Sequence, residues 1–355
     1  MSVKRYLKLT LWILFCVSCN SSSKLPEVKS ISHTFLFNEK VTDNCHAATV
    51  VETQPDELMA AWFGGSYEGA KDVGIYSSTY NGSLWTAPIN LIEPTISNND
   101  TFPCWNPVLF KSRSNCLYLF YKIGKNPREW YGAMITSKDN GKTWSEPQIL
   151  PEGILGPIKN KPIEVKPGEI LCGSSTESVA KNEWRVHVEI YNEESNTWKK
   201  IPIPNEQEFE IIQPTFLEHS DNSIQMLCRS KHDKVISSWS SDFGYTWENT
   251  DSINIVNSNS GIDALTMGNN TFLLVNNPLP RGADWFIGRN VLDVEYSKDG
   301  LKWDKIVDLE NKEKGEFSYP AIIQSADKKI HILYTFDREY IKHVVLELDT
   351  HSFSL

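Results

Sequence analysis

Six polar residues recur along this sequence at intervals of 50 to 60, each beside a mostly apolar run typical of a strand. They are His46, Asn106, Lys161, Gln213, Asp263 and Tyr319. A proline directly follows four of them; it fixes its own φ and biases the preceding residue towards an extended conformation. An imidazole, an ammonium, a carboxylate and a phenol brought together could bind a polar ligand and move protons. A structural ring would more naturally repeat one residue type, so six different groups predict a ligand pocket. The alternative is ordinary polar residues at strand edges.

A second repeat, marked by tryptophan, indicates the elements that would position this ring. "SKDNGKTW" ends at Trp144 and "SSDFGYTW" at Trp247, and weaker copies end at Trp85, Trp198 and Trp303. In such a turn the aspartate accepts backbone N–H groups, the glycine takes a positive φ and the tryptophan packs between sheets. These turns are therefore predicted to be structural.

The runs between the turns are short and mostly alternate apolar with polar residues, which favours about four strands per repeat. Residues 31–355 are predicted to form a single all-β domain, a six-bladed β-propeller whose sixth blade pairs the N-terminal and C-terminal strands. A jelly roll or a pair of sandwiches is the alternative fold.

The first 19 residues have the pattern of an export signal, with a basic start, an apolar run from Leu9 to Val17 and small residues after it. "CVSC" resembles a lipobox, which predicts lipidation of Cys19, a short polar tether over 20–30 and an exported, envelope-anchored lipoprotein. Without the signal, 32 basic residues face 45 acidic ones, so nucleic acid is not an expected partner. Five widely spaced cysteines allow disulfides but indicate no zinc site. No cofactor motif is present, and a monomer is expected.

The tryptophan turns resemble the Asp-boxes of the sialidase superfamily. The blocks "AAWFGGSYEGAKDVGIY", "GPIKNKPI", "SNSGIDA" and "FSYPAIIQ" resemble the bacterial sialidase-like family with BNR/Asp-box repeats. The resemblance implies a six-bladed propeller with Tyr319 as nucleophile and an acid/base carboxylate that is Glu68 or Asp72. It also implies a carboxylate clamp that includes Arg229 and Arg289, with Arg281 as a weaker candidate for the latter.

Two departures from the family pattern bear on the substrate. His46 stands where the first arginine of the clamp is expected, so a third fixed cation is predicted to be missing. The glutamate that assists the tyrosine falls near Ile211 or Gln213. An exo-acting glycoside hydrolase removing a terminal, acidic sugar is still predicted, because such chemistry requires an acid and a nucleophile more than a particular clamp.

The residues predicted for each role divide into two sets. The catalytic set is Tyr319, Asp72, Glu68 and His46, and the substrate-binding set is Arg229, Arg289, Asn106, Lys161, Gln213, Asp263 and Trp105. Three alternatives remain open: a polysaccharide lyase using His46 and Tyr319, a neutral-sugar exo-glycosidase, and a non-catalytic glycan-binding lipoprotein. In each case the partner is a glycan, and membrane contact is expected only through the lipid anchor.

Overall fold

The computed structural model describes residues 25–97, 100–178, 183–268, 270–284 and 286–349. Within them the regular structure is entirely β-strand. The strands are β1 (Val28–Phe35), β2 (Asn44–Gln54), β3 (Glu57–Gly65), β4 (Gly74–Tyr80), β5 (Ile89–Ile92), β6 (Thr95–Ser97), β7 (Asp100–Phe102), β8 (Cys104–Lys111), β9 (Leu117–Ile123), β10 (Tyr131–Ser137), β11 (Gln148–Ile149), β12 (Ile163–Lys166), β13 (Glu169–Ser178), β14 (Glu183–Asn192), β15 (Thr197–Pro202), β16 (Ile211–Glu218), β17 (Ile224–Ser230), β18 (Lys234–Ser240), β19 (Asp251–Val256), β20 (Asp263–Thr266), β21 (Phe272–Asn276), β22 (Val291–Ser297), β23 (Asp304–Asn311), β24 (Phe317–Gln324), β25 (Ile330–Phe336) and β26 (Tyr340–Leu348).

All but two of these strands form six four-stranded antiparallel sheets, the blades of a β-propeller, and β6 pairs with β7 in a separate hairpin. Blades I to V are β2–β5, β8–β11, β12–β15, β16–β19 and β20–β23, each running from the inner strand outwards. Blade VI has the order β24-β25-β26-β1, so the N-terminal strand supplies its outermost position. This is the predicted closure, although β1 begins at Val28, inside the predicted tether. Cys19 and the rest of the export signal lie outside the described residues.

The apolar core lies between neighbouring blades. Inner and middle strands are buried on both faces, which explains near-continuous apolar runs such as β9 and β17. Outer strands such as β1 are only partly buried. The five described cysteines are free thiols, and four of them are buried. No helix in the described part of the chain is long and apolar enough to cross a membrane.

The Asp-box turns have the predicted hydrogen bonds. Asp242 accepts the backbone N–H of Thr246 at 2.8 Å and its hydroxyl at 2.7 Å, while Gly244 N donates to Ser240 Oγ at 2.9 Å. Gly244 has a φ of 87°, which glycine adopts without strain. The turns connect the third and fourth strands of their blades. They therefore lie at the opposite end of the propeller from the points where the inner strands begin.

Candidate active site

The inner strands of four blades are interrupted near their beginnings by a β-bulge. The residues at the bulges are Ala47, Asn106, Gln213 and Tyr319, with φ values of 55°, 41°, 56° and 54°. A left-handed φ is uncommon outside glycine, and bulges re-aim side chains beside functional sites. The predicted extended conformation before proline is therefore wrong at the last three. The bulge instead brings Gln213 and Tyr319 into contact.

The predicted sixfold equivalence of the polar ring is also wrong. In blade I the residue equivalent to Tyr319 is Ala47, because His46 pairs with Phe63 directly before the bulge. In blade V, Asp263 pairs regularly with Val275, and neither Asp263 nor Lys161 of blade III has a positive φ. A one-residue change in register cannot be read from spacing alone.

Lys161 and Asp263 bind each other rather than form part of the Tyr319 surroundings. Lys161 Nζ lies 2.9 Å from Asp263 Oδ2, and the same carboxylate accepts Thr215 Oγ1 at 2.8 Å and Ile322 N at 2.9 Å. Lys161 lines a cavity with residues from the far ends of the inner strands, including Gln324. This pair therefore ties blades III, IV, V and VI together, and no hydrogen bond joins it to Tyr319, Gln213 or His46 in the described structure.

Tyr319 lies at the centre of a compact group of side chains. Its hydroxyl accepts a hydrogen bond from Gln213 Nε2 at 3.3 Å, and its ring centroid is 4.1 Å from that of His46. The guanidinium carbon of Arg229 is 5.4 Å from the Tyr319 ring centroid. Asn106, at the bulge of blade II, is also buried. Three of the six predicted ring residues, His46, Gln213 and Tyr319, are thus brought together.

His46 is a neutral base in this environment. Its Nδ1 lies 2.9 Å from Thr335 Oγ1, and its buried Nε2 has no hydrogen-bond partner among the described residues. Burial, and then the positive charges of Arg338, Arg289 and Arg229, hold the pKa of His46 well below its usual value. A protonated imidazole is therefore disfavoured at neutral pH, and His46 does not substitute for a clamp arginine.

Arg229 and Arg289 converge as the resemblance implies. Both donate to the carbonyl oxygen of Asn259, at 3.4 and 3.3 Å, and both side chains are buried. Arg289 pairs with Glu316 at 3.1 Å. Arg229 has no carboxylate within ion-pair distance in the described chain; its guanidinium lies 5.4 Å from the Trp184 ring instead. A buried cation without a carboxylate partner favours an anionic ligand.

A third arginine, Arg338, was missed by the sequence reasoning. Its Nε donates to Glu316 Oε2 at 2.8 Å, and its NH1 group pairs with Glu68. Arg338 lies in the turn between β25 and β26, at the same end of the propeller as Glu68 in the turn between β3 and β4. A third arginine therefore lies in this network, paired with Glu316 and Glu68. No local sequence pattern marks it.

The structure separates the two carboxylates proposed as the acid. Glu68 belongs to the arginine network through Arg338. Asp72 accepts the hydroxyl of Ser66 at 2.5 Å and its backbone N–H at 3.0 Å, and these bonds, the hydroxyl first, lower the pKa of Asp72. Asp72 lines a separate cavity with Tyr76 and Asn90 of blade I. Asp72 thus stabilises its own loop, and its lowered pKa does not favour the protonated form that an acid requires.

Residues 56–332 match a family model described as a BNR repeat-like domain. The chain belongs to this family.

Solved structures support the fold of this BNR repeat-like protein. A protein of unknown function from Dyadobacter fermentans DSM 18053 is 16% identical, with 90% of this chain and 100% of that chain covered and a TM-score of 0.71. Trypanosoma rangeli sialidase is 15% identical, with 89% of this chain and 59% of that chain covered and a TM-score of 0.68. The K499G mutant of NanB sialidase from Streptococcus pneumoniae is 13% identical, with 89% of this chain and 70% of that chain covered and a TM-score of 0.65. The chain thus spans about three fifths of the trypanosomal sialidase. No curated protein matches it.

Other predicted residues of the BNR repeat-like protein have structural contacts. Trp105 is buried, donates from Nε1 to Gly124 O at 2.7 Å and packs edge-on against Phe63. It forms a wall of the core rather than an open platform for a sugar. Arg281, 3.7 Å from Asp233, is not part of the arginine cluster.

No carboxylate is hydrogen-bonded to Tyr319 in the described structure of the BNR repeat-like protein. Ile211 is in the core and Glu210 pairs with Lys231 at 2.5 Å. The position of the assisting glutamate is therefore filled by Gln213, which donates a hydrogen bond and cannot act as a base. The described residues contain no group of three or more His, Cys, Asp or Glu side chains that could hold a metal ion.

Proposed function

We propose that the protein is an exo-acting glycoside hydrolase that removes a terminal acidic sugar from glycans. The observation that carries this proposal is the charge around Tyr319. Arg229, Arg289 and Arg338 converge there with two carboxylates, Glu68 and Glu316. Arg289 and Arg338 share the carboxylate of Glu316, whereas the buried Arg229 has no carboxylate partner in the described chain, which matches a sugar that carries a carboxylate. Arg229, the arginine without a carboxylate partner, is the primary contact for that group.

The proposed reaction uses three side chains. Protonated Glu68 gives its proton to the leaving oxygen as the glycosidic bond breaks, and the Tyr319 oxygen bonds to the anomeric carbon. The phenolic proton passes to Nε2 of His46, and the bound substrate carboxylate offsets the arginine charges that lower the pKa of this imidazole. The Nδ1–H of His46 then donates to Thr335. In the second step Glu68 takes a proton from water, the hydroxide portion bonds to the anomeric carbon, and the tyrosine oxygen leaves and recovers its proton from His46.

Release of monosaccharides tests this function. The purified protein is incubated with sialylated, uronic-acid-containing and neutral glycans, and the products are separated chromatographically. Release of an acidic sugar is expected, and Tyr319→Phe should lower turnover by about 100-fold or more with the melting temperature preserved. Release of a neutral sugar only would reject the acidic substrate. Normal turnover by Tyr319→Phe would remove this residue from the mechanism.

One observation favours a second candidate, a polysaccharide lyase. His46 is a neutral base with an unpartnered Nε2, its ring centroid is 4.1 Å from that of Tyr319, and arginines that could neutralise a uronate carboxylate lie nearby. A lyase would produce an unsaturated sugar with new ultraviolet absorbance and would take up no water. A hydrolase would take up water and produce no such absorbance. Glycan binding with neither product would indicate a non-catalytic binding protein.

We also propose that the mature protein is a monomeric lipoprotein of the cell envelope. The basis is the sequence of residues 1–19 with Cys19 at the lipobox. Metabolic labelling with an alkynyl fatty acid tests the anchor, because the label should be lost in Cys19→Ser. Labelling that persists in this variant would contradict acylation at Cys19. Light scattering of the protein without its signal tests the oligomeric state.

A further inference from the structure

Two consecutive buried residues, Lys159 and Asn160, lie in the "GPIKNKPI" segment before β12. This segment runs beside β13, since Ile158 N donates to Gly173 O at 2.9 Å. It therefore enters the axial region of the propeller from blade III. Neither residue has a role in the proposed reaction, and an ammonium removed from water requires a structural or functional reason.

Lys159 connects blades III, V and VI. Its Nζ donates to Asn160 Oδ1 at 2.8 Å, to Ile262 O at 3.1 Å and to Pro320 O. These contacts occupy all three ammonium hydrogens. The last acceptor is the carbonyl of the bulge that holds Tyr319, and Lys159 Nζ lies 5.8 Å from the Tyr319 ring centroid.

Asn160 makes the corresponding contacts with blade IV. Its Nδ2 donates to Gln213 O at 3.0 Å and to Pro214 O at 3.1 Å, while its Oδ1 accepts from Lys159. One dipeptide thus binds the carbonyls of two bulges. The side chains at those bulges, Gln213 and Tyr319, are themselves hydrogen-bonded at 3.3 Å.

Gly261 provides the space for this arrangement. A Cβ at this position would lie 3.2 Å from Lys159 Cε and 3.3 Å from two ring carbons of Tyr319. The backbone of blade V therefore packs directly against both side chains. A residue with a left-handed φ persists only where its surroundings hold it, and here the holding groups are on neighbouring blades rather than on β24 itself.

We infer that Lys159 and Asn160 are positioning residues. They hold the Gln213–Pro214 and Tyr319–Pro320 bulges so that the side-chain amide of Gln213 donates its hydrogen bond to the Tyr319 hydroxyl. The kinetic part of this inference rests on the proposed function; the geometric part does not. Lys159 acts through Pro320 O and Asn160 through Gln213 O and Pro214 O. Removing either set of donors should let its bulge relax and misplace Tyr319 relative to the sugar.

A kinetic comparison tests the role. Lys159→Met keeps an unbranched chain but lacks the ammonium, and Asn160→Asp keeps the acceptor for Lys159 but lacks the amide donors. Each should lower kcat by about 100-fold, as expected for a misplaced reacting group. KM should change by less than about threefold, because the arginines bind the substrate independently. A kcat for Lys159→Met within about threefold of the wild type would overturn the inference.

Lys111 offers a control. It is a partly buried lysine at the end of β8 that likewise donates to a backbone carbonyl of another blade, that of Thr53, and to Asn140 Oδ1 at 3.3 Å. It has no hydrogen bond to either bulge or to the segment that carries Lys159. Lys111→Met should lose stability but retain kcat per folded molecule. An equal loss of kcat in Lys111→Met would show a general effect of removing a lysine that bridges two blades and would overturn the assignment.

A spectroscopic test works without any substrate. The 13 tyrosines are replaced by 3-fluorotyrosine, and the ¹⁹F signal of residue 319 is assigned from its absence in Tyr319→Phe. Lys159→Met and Asn160→Asp should shift or broaden this signal, and Lys111→Met should leave it unchanged. An unshifted signal in both test variants would overturn the inference. If the wild type releases no sugar while the signal shifts as expected, the proposed function fails and the positioning role stands.

Discussion

The environment of Arg229 is the strongest indication that the ligand is anionic. Its guanidinium is buried between the rings of Trp184 and Tyr319, and it donates to the carbonyl of Asn259. Arg289, by comparison, has Glu316 as a carboxylate partner. A buried charge is costly unless it is paired, so the missing counter-ion at Arg229 is best supplied by the substrate.

Removal of the Arg229 charge should therefore weaken binding more than chemistry. Arg229→Met is expected to raise KM for an acidic sugar by tenfold or more, because a charge-assisted hydrogen bond is worth about 1.5–3 kcal/mol. Steady-state kinetics with the substrate found in the release screen measures this. Arg113→Met, which removes an exposed arginine at the opposite mouth of the channel, is the control. An unchanged KM in Arg229→Met would place the substrate carboxylate elsewhere.

The site residues could be predicted from the sequence only where they lie within a short, recognisable motif. Tyr319, Arg229 and Arg289 were found through short blocks of sequence, and the structure brings them together. Arg338 and Lys159 were missed because neither begins an inner strand: Arg338 lies in the turn between β25 and β26, Lys159 lies in the loop before β12, and no local pattern marks their approach. Spacing alone also grouped Lys161 with Tyr319, although Lys161 lacks the left-handed φ of the bulge residues and lines a cavity with the far ends of the inner strands.

At the scale of the element, the two ends of each antiparallel blade differ in backbone geometry. The beginnings of the inner strands carry bulges with left-handed residues, which place functional side chains at the cost of local strain. The Asp-box turns at the other end place both Gly244 and the residue before it, Phe243, in the left-handed region, and they satisfy their backbone groups within the turn. Left-handed residues thus occur at both ends of the propeller, and those at the inner-strand bulges lie beside the candidate site.

Asp242→Ala tests this division. The variant loses the acceptor for Thr246 N and Oγ1, and the free energy of unfolding should fall by about 1–2 kcal/mol. Turnover per folded molecule should not change, because the turn lies far from Tyr319. Denaturant unfolding and kinetics on the same preparation measure the two quantities. A loss of turnover at unchanged stability would mean that the turn contributes to the site.

At the scale of the whole molecule, six repeats of similar length are closed into a ring by β1 and β26. Tryptophan spacing predicted both the number of blades and this closure, because each repeat forms one sheet with a fixed turn. The packing between blades was less predictable, since it also buries polar groups. Asp293 and Glu295 of β22 are both buried, and Asn276 Nδ2 donates to Glu295 at 2.8 Å.

This carboxylate pair should make the stability of the propeller depend on pH. Burial, then the charge of Glu295, raises the pKa of Asp293 to about 8. A folded-state pKa above the unfolded value of about 3.9 means that the protonated form favours folding. Its contribution is fully present below about pH 4 and is progressively lost as the pH rises through about 8.

Asp293→Asn removes this titration and keeps the shape of the side chain. Relative to the wild type, the variant should become more stable as the pH is raised from 5 to 9, by about 1 kcal/mol or more. Urea unfolding at several pH values measures the difference, and Glu194→Gln, at an exposed turn position, is the control that should track the wild type. A constant difference between Asp293→Asn and the wild type across this range would show that Asp293 is already ionised in the folded protein, and that its neighbours compensate the buried charge.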